Sequence, residues 1–519
     1  MTRTLIVAHD IGTSGTKSAL VEIDDSVRII RSYISSHKLI HDPKVPHSAE
    51  QDVESWWNAT CKGTRKVVHG ESIDALVFCV QANGAVFVDG EGKALANAFT
   101  WLDGRAVDQI NRHFKSGLFT YGGYNLFKAI RFLRITGAGP GSPKDPLWKY
   151  IWFKEREPEK FSRVHKFLDA RDYMLYRTTG NYCTAPDSAN LTWLFDTRPG
   201  KFKWSKPLCK MCGVDMSHLP EIRDSTDKAG ILLSRPAKEL GLDASIPVIM
   251  GGNDSSCIAV GSGATSPGDV HVYNGTSGWT MAFLEKRKIN LKYFEASICG
   301  AIPGMYQFIG ELETAGASLA WARDHLATLE VARARKQGCS EYEFLDDIIS
   351  RTGVKENGVL FMPWLLGNRS PREDQHVRGA FFNLNLQTRR QDMFRAILEG
   401  VSLHQRWILE GFTHVMEVPP ILRYIGGGAK SRIWARIHAD VLGKEIVPVA
   451  NPQDGGTIGA AMIAGVALGI AEFSDANHLI KTGPPLQPRK AMHELYTKKF
   501  EAMKQFHDNN RDTFRILNP

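Results

Sequence analysis

The chain has 519 residues, of which 43% are hydrophobic and 23% charged, values typical of folded globular proteins. This length exceeds what one hydrophobic core usually supports, so we expect two domains. No run of about 18 uncharged apolar residues indicates a membrane span, and the first residues show no signal-peptide pattern. The net charge of +8 comes from dispersed basic residues, which argues against a nucleic-acid surface. We therefore expect a cytoplasmic protein.

The eight cysteines are scattered along the chain. This density is too low for a disulfide scaffold and is typical of reduced intracellular thiols. Cys209 and Cys212 form a single CxxC pair, without a second Cys or His pair at the spacing that zinc sites use. We therefore expect no zinc site there.

Alternation of apolar and polar residues predicts strands through much of the chain. In chain order they cover residues 5–11, 17–23, 27–33, 74–80, 84–89, 246–252, 268–275, 306–310, 358–363 and 421–428. The clearest helix is predicted from 389 to 416, and Thr388 with Gln391 is predicted to form a capping box at its start. Strands that alternate with long helices, antiparallel pairs included, indicate an α/β fold.

One four-residue string, GTSG, occurs at 12–15 and again at 275–278, about half a chain apart. Each copy follows a β-rich run. Each also precedes another predicted strand, at 17–23 after the first copy and at 279–284 after the second. This shared strand–turn–strand context suggests two related halves that face each other, with a boundary near 255–265.

The first copy lies within the segment Asp10–Lys17. Gly12 allows a tight turn with exposed N–H groups, and the hydroxyls of Thr13 and Ser14 add donors, an arrangement suited to phosphate oxygens. Asp10, at the end of the preceding strand, could hold Mg²⁺ directly or through water. The alternative is an ordinary hairpin turn, and the P-loop spacing GxxxxGK[ST] occurs nowhere in the chain.

The second copy, within Asn274–Gly278, could supply donors from the opposite half of the protein. Two donor-rich turns that face each other across a cleft would hold a triphosphate from both sides. Phosphoryl transfer depends mainly on positioning and on stabilising negative charge, so this pair of turns favours an ATP-dependent reaction.

Asp254 follows an apolar strand and lies in a glycine-rich turn, VIMGGNDSS. A carboxylate at such a strand end would be exposed in a cleft, where it could take the proton of an alcohol that attacks phosphorus. Asp254 is therefore our candidate general base. The alternative is that it caps the following helix.

A third glycine cluster, IGGGAKS at 425–431, lies between a predicted strand and a helix. Three glycines would let a flat ring pack closely against the backbone, so we interpret the cluster as a platform for adenosine. The alternative is a tight strand–helix turn. The string GAKS is similar to the end of a P-loop, but the upstream glycine is missing.

These segments, in this order and at these intervals, resemble the FGGY carbohydrate kinases, members of the actin-like ATPase superfold, over essentially the whole chain. Residues 101–105, WLDGR, are similar to the family's W-x-D-x-R element on the sugar side. Residues 146–152 resemble its first signature, whose leading position Lys144 does not match. Residues 379–384, followed by 392–399, resemble the second signature, with Asn383 in place of glycine.

The resemblance implies an α/β fold of two actin-like (RNase H-like) domains with a central cleft. Residues 1–258 would form an N-terminal sugar-binding domain, and residues 259–519 a C-terminal nucleotide-binding domain. The resemblance further implies a carbohydrate kinase that uses ATP, Mg²⁺ and a small sugar or polyol. It implies no nucleic-acid or membrane partner, and a homodimer is the family expectation.

The resemblance also assigns roles to individual positions. Asp254 would be the catalytic base, and Asp10 would bind magnesium. The residues that would contact the nucleotide are Gly12, Thr13, Ser14, Lys17, Gly275, Thr276, Gly316, Leu319, Gly427, Gly428 and Ala429. The residues that would contact the sugar are Asn83, Trp101, Asp103, Asp254 and Ser255.

Within the family the chain most resembles the xylulokinases, so the expected acceptor is D-xylulose. Two departures bear on the sugar: Ala82-Asn83 stands where xylulokinases have Met-His, and Ser255 replaces a larger amide residue beside the base. The stretch 106–145 also matches poorly. Because hydroxyl-reading sites discriminate by about 10⁴-fold when polar groups are left unpaired, ribulose, erythritol and glycerol remain alternatives.

Two hypotheses from other classes stay open. An actin- or Hsp70-like ATPase would share the superfold, but it has no reason to contain the WLDGR element or the Lys149–Trp152 element. An inactive sugar sensor is disfavoured because Asp254 and both GTSG turns are intact.

Overall fold

The computed structural model describes residues 3–117, 119–121, 123–353 and 358–518. The strands of the first half are Thr4–Ile11 (β1), Gly15–Ile23 (β2), Val27–Ser36 (β3), Glu50–Gln51 (β4), Ala75–Val80 (β5), Val86–Val88 (β6), Ala98–Phe99 (β7), Thr120–Tyr121 (β8), Tyr124–Asn125 (β9), Lys166–Leu168 (β10), Cys183–Thr184 (β11), Phe195–Asp196 (β12), Lys203–Trp204 (β13), Glu221–Ile222 (β14), Lys228–Ile231 (β15) and Pro247–Asn253 (β16). Its helices are Val53–Val68 (α1), Val107–His113 (α2), Leu126–Thr136 (α3), Pro146–Arg156 (α4), Pro158–Phe161 (α5), Ala170–Thr179 (α6), Pro186–Leu191 (α7), Lys206–Cys212 (α8), Ser234–Leu240 (α9) and Asp254–Gly261 (α10).

The second half continues the alternation. Its strands are Val270–Asn274 (β17), Gly278–Leu284 (β18), Ile289–Asn290 (β19), Glu295–Cys299 (β20), Tyr306–Leu312 (β21), Leu360–Met362 (β22), Ala380–Phe382 (β23), Ile421–Ile425 (β24) and Glu445–Pro448 (β25). Its helices are Gly316–His325 (α11), Thr328–Gln337 (α12), Glu341–Ser350 (α13), Arg390–Phe412 (α14), Arg432–Leu442 (α15), Gly455–Ala467 (α16), Ala476–Leu479 (α17) and Lys490–Leu517 (α18). Within the described ranges, none of the helices combines the length and the apolar character needed to cross a membrane.

The predicted strands are confirmed, with ends that differ by a few residues, and so is the long helix, which becomes α14. The predicted capping box is wrong. Arg389 is the N-cap residue, and its main-chain N–H donates to the Asp392 side chain at 2.8 Å. The helix begins at Arg390, so Thr388 lies in the preceding turn, where its hydroxyl accepts a hydrogen bond from the main-chain N–H of Asn385.

The large sheet of the first half has the strand order β15-β16-β5-β1-β2-β3. β1 pairs with β2 as an antiparallel hairpin on one side and runs parallel to β5 on the other. β16 also runs parallel to β5. The carboxyl ends of β1, β5 and β16 therefore lie along the same edge of the sheet, and residues that follow these three strands are brought together there.

The large sheet of the second half has the order β19-β20-β21-β18-β17-β24-β25. Its centre repeats the plan of the first sheet: β17 forms an antiparallel hairpin with β18 and runs parallel to β24, which runs parallel to β25. The two GTSG strings occupy equivalent turns, between β1 and β2 and between β17 and β18. The prediction of two structurally related halves is confirmed.

The halves meet where two helices cross, α10 from the first half and α16 from the second. A Cβ atom on Gly459 would lie 1.7 Å from the main-chain oxygen of Cys257, and one on Gly261 would lie 2.1 Å from that of Gly455. The backbones therefore touch without intervening side chains. Because α16 also packs against the first sheet, the predicted division between residues 258 and 259 stays a prediction.

We expect Gly459→Val to prevent this crossing. Any side chain at this position overlaps the main chain of α10, so the variant should lose at least about 3 kcal/mol of unfolding free energy or fail to fold. Thermal unfolding measures the effect. Gly90→Ala is the control, because a Cβ atom there meets nothing within 4 Å. Equal melting temperatures for the two variants would contradict the described crossing.

Candidate active site

The first GTSG turn is held in place by side chains from elsewhere in the first half. The Gln51 amide donates to the main-chain oxygen of Thr13 at 2.6 Å, and the Trp101 indole donates to the Thr13 hydroxyl at 2.9 Å. The Gly12 N–H closes the turn by donating to the Gly15 oxygen at 3.0 Å. Ser14 is exposed at the tip. The turn is fixed in shape while its tip stays accessible.

The second GTSG turn packs against the start of α11. The Gly316 N–H donates to the main-chain oxygen of Gly275 at 2.8 Å, and the Ala315 and Ala317 N–H groups both donate to that of Thr276 at 3.0 Å. A Cβ atom on Gly316 would lie only 2.5 Å from the Gly275 oxygen, so a larger residue would push the turn away. Thr276 is exposed. The structure thus brings Gly275, Thr276 and Gly316 together.

The third glycine cluster lies beside the second turn because β17 and β24 are parallel neighbours. Gly426 has φ +94°, which only glycine adopts readily, and a Cβ atom there would lie 2.6 Å from the Asn274 oxygen. Gly427 is exposed, whereas Gly428 and Ala429 are buried behind it. Leu319 is also buried, at 6% exposure, within the core of the second half. Of these residues, Gly427 is the one that presents its backbone to solvent.

Asp10 and Asp254 meet at the carboxyl edge of the first sheet. Asp10 is near the end of β1, and Asp254 is the first residue of α10, directly after β16. Both carboxylates are partly exposed. Main-chain N–H groups of Ala82 and Ser255 donate to Asp254. Burial, together with the negative charge of Asp10, raises the pKa of Asp254 to about 7, and burial also raises the pKa of Asp10.

This carboxylate pair also faces the second half. Tyr273, at the end of β17, lies close enough for the charges of Asp254 and Asp10 to raise its pKa further beyond the effect of burial. At the start of α16, a Cβ atom on Gly456 would lie 2.6 Å from Asp10 Oδ2. Elements of both halves therefore converge on the two carboxylates.

The two carboxylates suit a magnesium ion. Burial and, after it, the negative charge of Asp10 raise the pKa of Asp254, and a cation between or beside the two carboxylates would offset both effects. Among the described residues no group of three or more His, Cys, Asp or Glu side chains forms a metal cage. Mg²⁺ commonly binds through one or two carboxylates, substrate phosphates and water, so a pair is the donor set that it needs.

The predicted sugar side is built around Asn83. This residue has φ +58°, and its main-chain oxygen accepts a hydrogen bond from Lys149 Nζ at 2.7 Å. The same ammonium group donates to the Thr100 oxygen at 2.7 Å. Burial lowers the pKa of Lys149 to about 8. Lys149 therefore joins the Asn83 loop to the segment that carries Trp101, which is 38% exposed.

Asp103 differs from its prediction as a sugar contact. Its carboxylate is fully buried, accepts from the Ala49 N–H at 2.7 Å and pairs with Arg105 at 2.7 Å. The guanidinium group of Arg105 in turn lies 4.0 Å from the centre of the Phe99 ring. Asp103 thus lies beneath the surface of the predicted sugar side and stabilises it through these hydrogen bonds. Ser255 is partly exposed beside Asp254, and its hydroxyl donates to Asn253 Oδ1 at 2.9 Å.

The sequence predicts that Lys17 contacts the nucleotide. In the structure its Nζ donates two hydrogen bonds within the protein. It donates to the Gln453 oxygen and to Asp454 Oδ1, both at 2.8 Å. Asp454 precedes α16, so this ion pair links the first turn to the second half. Asp454 was missed by the sequence interpretation, although the string DGG before an apolar helical run is a helix-start signal.

Comparison with known proteins identifies the family. Residues 5–261 match the N-terminal domain of the FGGY family of carbohydrate kinases, and residues 271–468 match its C-terminal domain. A xylulose kinase of Staphylococcus xylosus is 31% identical over 485 residues, covering 91% of this chain and 92% of that protein. A gluconokinase of Bacillus subtilis is 26% identical over 472 residues, covering 90% of this chain and 88% of that protein.

Solved structures share the fold. The crystal structure of gluconate kinase from Lactobacillus acidophilus superposes with a TM-score of 0.86 at 22% identity, covering 99% of this chain and 100% of that one. The predicted two-domain α/β fold is therefore confirmed. Because the two domain matches cover well over half of the sequence, the chain belongs to the FGGY family of carbohydrate kinases.

Proposed function

We propose that this carbohydrate kinase transfers the γ-phosphate of MgATP to a hydroxyl of D-xylulose, with Asp254 as the general base. The observation that carries the proposal is the pair of carboxylates, Asp10 and Asp254, at one sheet edge, where Tyr273 and the start of α16 from the second half also lie. A kinase needs such a base beside such a metal ligand. Membership of the FGGY family of carbohydrate kinases favours an alcohol over water as the acceptor.

Asp254 would take the proton of the attacking hydroxyl. As the new bond from sugar oxygen to γ-phosphorus forms, the bond from phosphorus to the β–γ bridging oxygen breaks, and ADP leaves with that electron pair. At a pKa of about 7, roughly half of the Asp254 carboxyl groups are ionised at neutral pH, and the ionised form is basic enough to hold the proton of the hydroxyl. The N–H groups of Ala82 and Ser255 fix its direction.

Asp10 would hold the magnesium ion, with Asp254 nearby. When bound, the ion neutralises phosphate charge as the transferring group loses its link to ADP. Cys79 donates to Asp10 Oδ1 at 3.5 Å, and α16 begins against the other oxygen. This enclosure leaves Asp10 few directions for its carboxylate, which suits a residue that must present oxygens to one ion.

The phosphates would lie between the two turns, with Gly12, Thr13 and Ser14 on one side and Gly275 and Thr276 on the other. Supporting this assignment, both turns are fixed by hydrogen bonds while their tips stay accessible. Preorganised donors of this kind stabilise the charge that phosphoryl transfer develops, at no cost in reorganisation. Lys17 Nζ donates to Gln453 and Asp454, which leaves its third N–H for a phosphate contact.

The adenosine would pack on the backbone near Gly316 and Gly427, with Leu319, Gly428 and Ala429 forming the layer behind. On this assignment the first half binds the sugar, through Asn83, Trp101 and Ser255, and supplies the first turn to the phosphates. The second half binds the adenosine and supplies the second turn. The close approach of Gly316 to Gly275 and of Gly426 to Asn274 supports the need for glycine at this wall.

D-gluconate is the second candidate acceptor, favoured by one observation. The ammonium group of Lys144 lies 6.0 Å from the centre of the Trp101 ring, at the sugar side of the cleft. A cation there would suit the carboxylate of an acidic sugar. The Staphylococcus xylosus relative has the higher identity, so D-xylulose remains the first choice.

We expect D-xylulose to stimulate ADP release most strongly in a panel that also contains D-ribulose, erythritol, glycerol and D-gluconate. ADP release that does not depend on any sugar would support an ATPase and contradict the proposal. Sugar binding without turnover would support an inactive sensor and would also contradict the proposal. Lys144→Met serves as the internal test of the second candidate. If gluconate is the acceptor, this variant should raise its KM at least tenfold, and it should leave the KM for D-xylulose within about twofold.

A further inference from the structure

A buried ion pair lies behind the candidate base. Arg171 is on α6 and Asp187 is in the first turn of α7; the side chains of both are fully buried, and Arg171 Nη1 lies 2.7 Å from Asp187 Oδ1. Removing two charges from water costs several kcal/mol per ion, so such pairs are poor sources of stability. This pair therefore calls for an explanation other than a gain in folding free energy.

The second oxygen of Asp187 reaches the residue before the base. Asp187 Oδ2 accepts the main-chain N–H of Asn253 at 2.8 Å, while Oδ1 accepts that of Ser188, also at 2.8 Å. Asn253 ends β16 and is the N-cap residue of α10, whose first residue is Asp254. A Cβ atom on Gly252 would lie 3.3 Å from Asp187 Oδ2, so the carboxylate packs directly against this junction.

The buried charged residues around Arg171 also contact the loop that carries Asn83, on the predicted sugar side. Asp169, the N-cap residue of α6, accepts the N–H of Gly84 at 3.0 Å, and Gly84 directly follows Asn83. A Cβ atom on Gly84 would lie 2.7 Å from Asp169 Oδ1, so the contact is close. Arg171 is flanked by Asp172 at 3.5 Å as well as by Asp187. Asp172 accepts the main-chain N–H of Asp169 at 3.1 Å. The Arg171 guanidinium group therefore contacts Asp187 directly and is linked to Asp169 through Asp172.

We propose that Arg171 and Asp187 are positioning residues of the phosphoryl-transfer reaction. Acting through Asn253, they set the direction of the Asp254 carboxylate relative to the loop that carries Asn83. This inference rests on the proposed role of Asp254. Neither residue touches the cleft, since both side chains are fully buried. Their effect is geometric: a displacement of about 1 Å at a reacting group can lower the rate by about 10²-fold.

The proposal predicts that Asp187→Ala lowers kcat by about 10²-fold and leaves the KM for ATP within about twofold, because the proposed adenosine wall lies in the second half. Asp187→Asn should lose less, about tenfold, since its amide oxygen can still accept the Asn253 N–H. The measurement is sugar-dependent ADP release for each protein, together with its thermal unfolding.

Glu399→Gln is the matched control. Arg395 and Glu399 form another buried pair, 2.8 Å apart, on α14 and away from the carboxylate edge. The control should unfold at a lower temperature yet keep kcat within about twofold. If Asp187→Ala keeps a kcat equal to that of the control, the proposal is overturned, and the pair is only a structural one.

Arg171→Lys carries the test if Asp187→Ala does not fold. Lysine keeps a cation in the cluster but has no planar fork to bind several acids at once, so kcat should fall about tenfold with an unchanged KM for ATP. A wild-type kcat in Arg171→Lys would overturn the proposal. Failure of the proposed function is a separate result, because wild-type protein would then show no stimulation by any sugar in the panel.

Discussion

Asp254→Asn is expected to lower kcat by 10²–10⁴-fold, the usual contribution of a general base, while the affinity for ATP changes less than about twofold. Asparagine has nearly the same shape and its amide oxygen can still accept the Ser255 N–H, so the loop should keep its conformation. Sugar-dependent ADP release gives kcat, and calorimetric titration gives the nucleotide affinity.

Asp74→Asn is the control for this variant. Asp74 accepts the Leu5 N–H at 2.8 Å just before β5, at the opposite edge of the same sheet from Asp254. Its loss of charge should leave kcat within about twofold. If Asp254→Asn lost nucleotide affinity and turnover together, Asp254 would be a structural residue and the proposed mechanism would be wrong.

The pH dependence of the wild-type enzyme tests the same group. Because burial and the charge of Asp10 raise the pKa of Asp254 to about 7, the base is increasingly protonated as the pH falls below that value. A protonated carboxyl cannot accept the hydroxyl proton, so kcat/KM should fall about tenfold per pH unit on the acidic side. A profile that is flat from pH 5 to pH 8 would contradict the assignment.

Asp10→Asn is expected to have the second large effect. Removing one of two magnesium-facing carboxylates should lower kcat by about 10²-fold, and half-maximal activity should require at least tenfold more Mg²⁺. The substitution also removes the negative charge that helps to raise the pKa of Asp254, so the residual activity should show its acidic limb at lower pH. Kinetics as a function of Mg²⁺ and pH measure both effects.

The matched substitution is Asp24→Asn, in the turn after β2, where the carboxylate pairs with Arg28. This variant should keep the wild-type magnesium dependence. If Asp10→Asn needed no more Mg²⁺ than wild type, the metal would be held elsewhere. An acidic limb that moved to higher pH instead would mean that the two carboxylates do not share one site.

The strands and the two equivalent turns could be predicted because their signals are local. Alternation of apolar residues marks a strand, and GTSG marks the turn after it, wherever the chain later packs. The same locality explains why the sequence singles out Asp254 and Asp10 as candidates, since each stands at the end of a buried strand. Parallel pairing of β1, β5 and β16 then brings them to one edge.

The direction of a polar side chain was not predictable in this way. The Asp103 carboxylate points into the buried interior because it accepts hydrogen bonds from the Ala49 N–H, 54 residues earlier in the chain, and from the Arg105 side chain. Asp187 looks like an ordinary first-turn residue of a short helix, yet its partner Asn253 is 66 residues away. Such contacts depend on tertiary packing that no local pattern encodes.

The crossing of α10 and α16 has a consequence for motion. Both helices start at the carboxylates, α10 with Asp254 itself and α16 with a first turn in which Gly456 packs against Asp10. Two backbones in direct contact act as a pivot, so a rotation of one half against the other would be smallest there and largest at the outer rims. The rims could then open to admit sugar and nucleotide while the spacing of base and metal ligand stayed nearly constant.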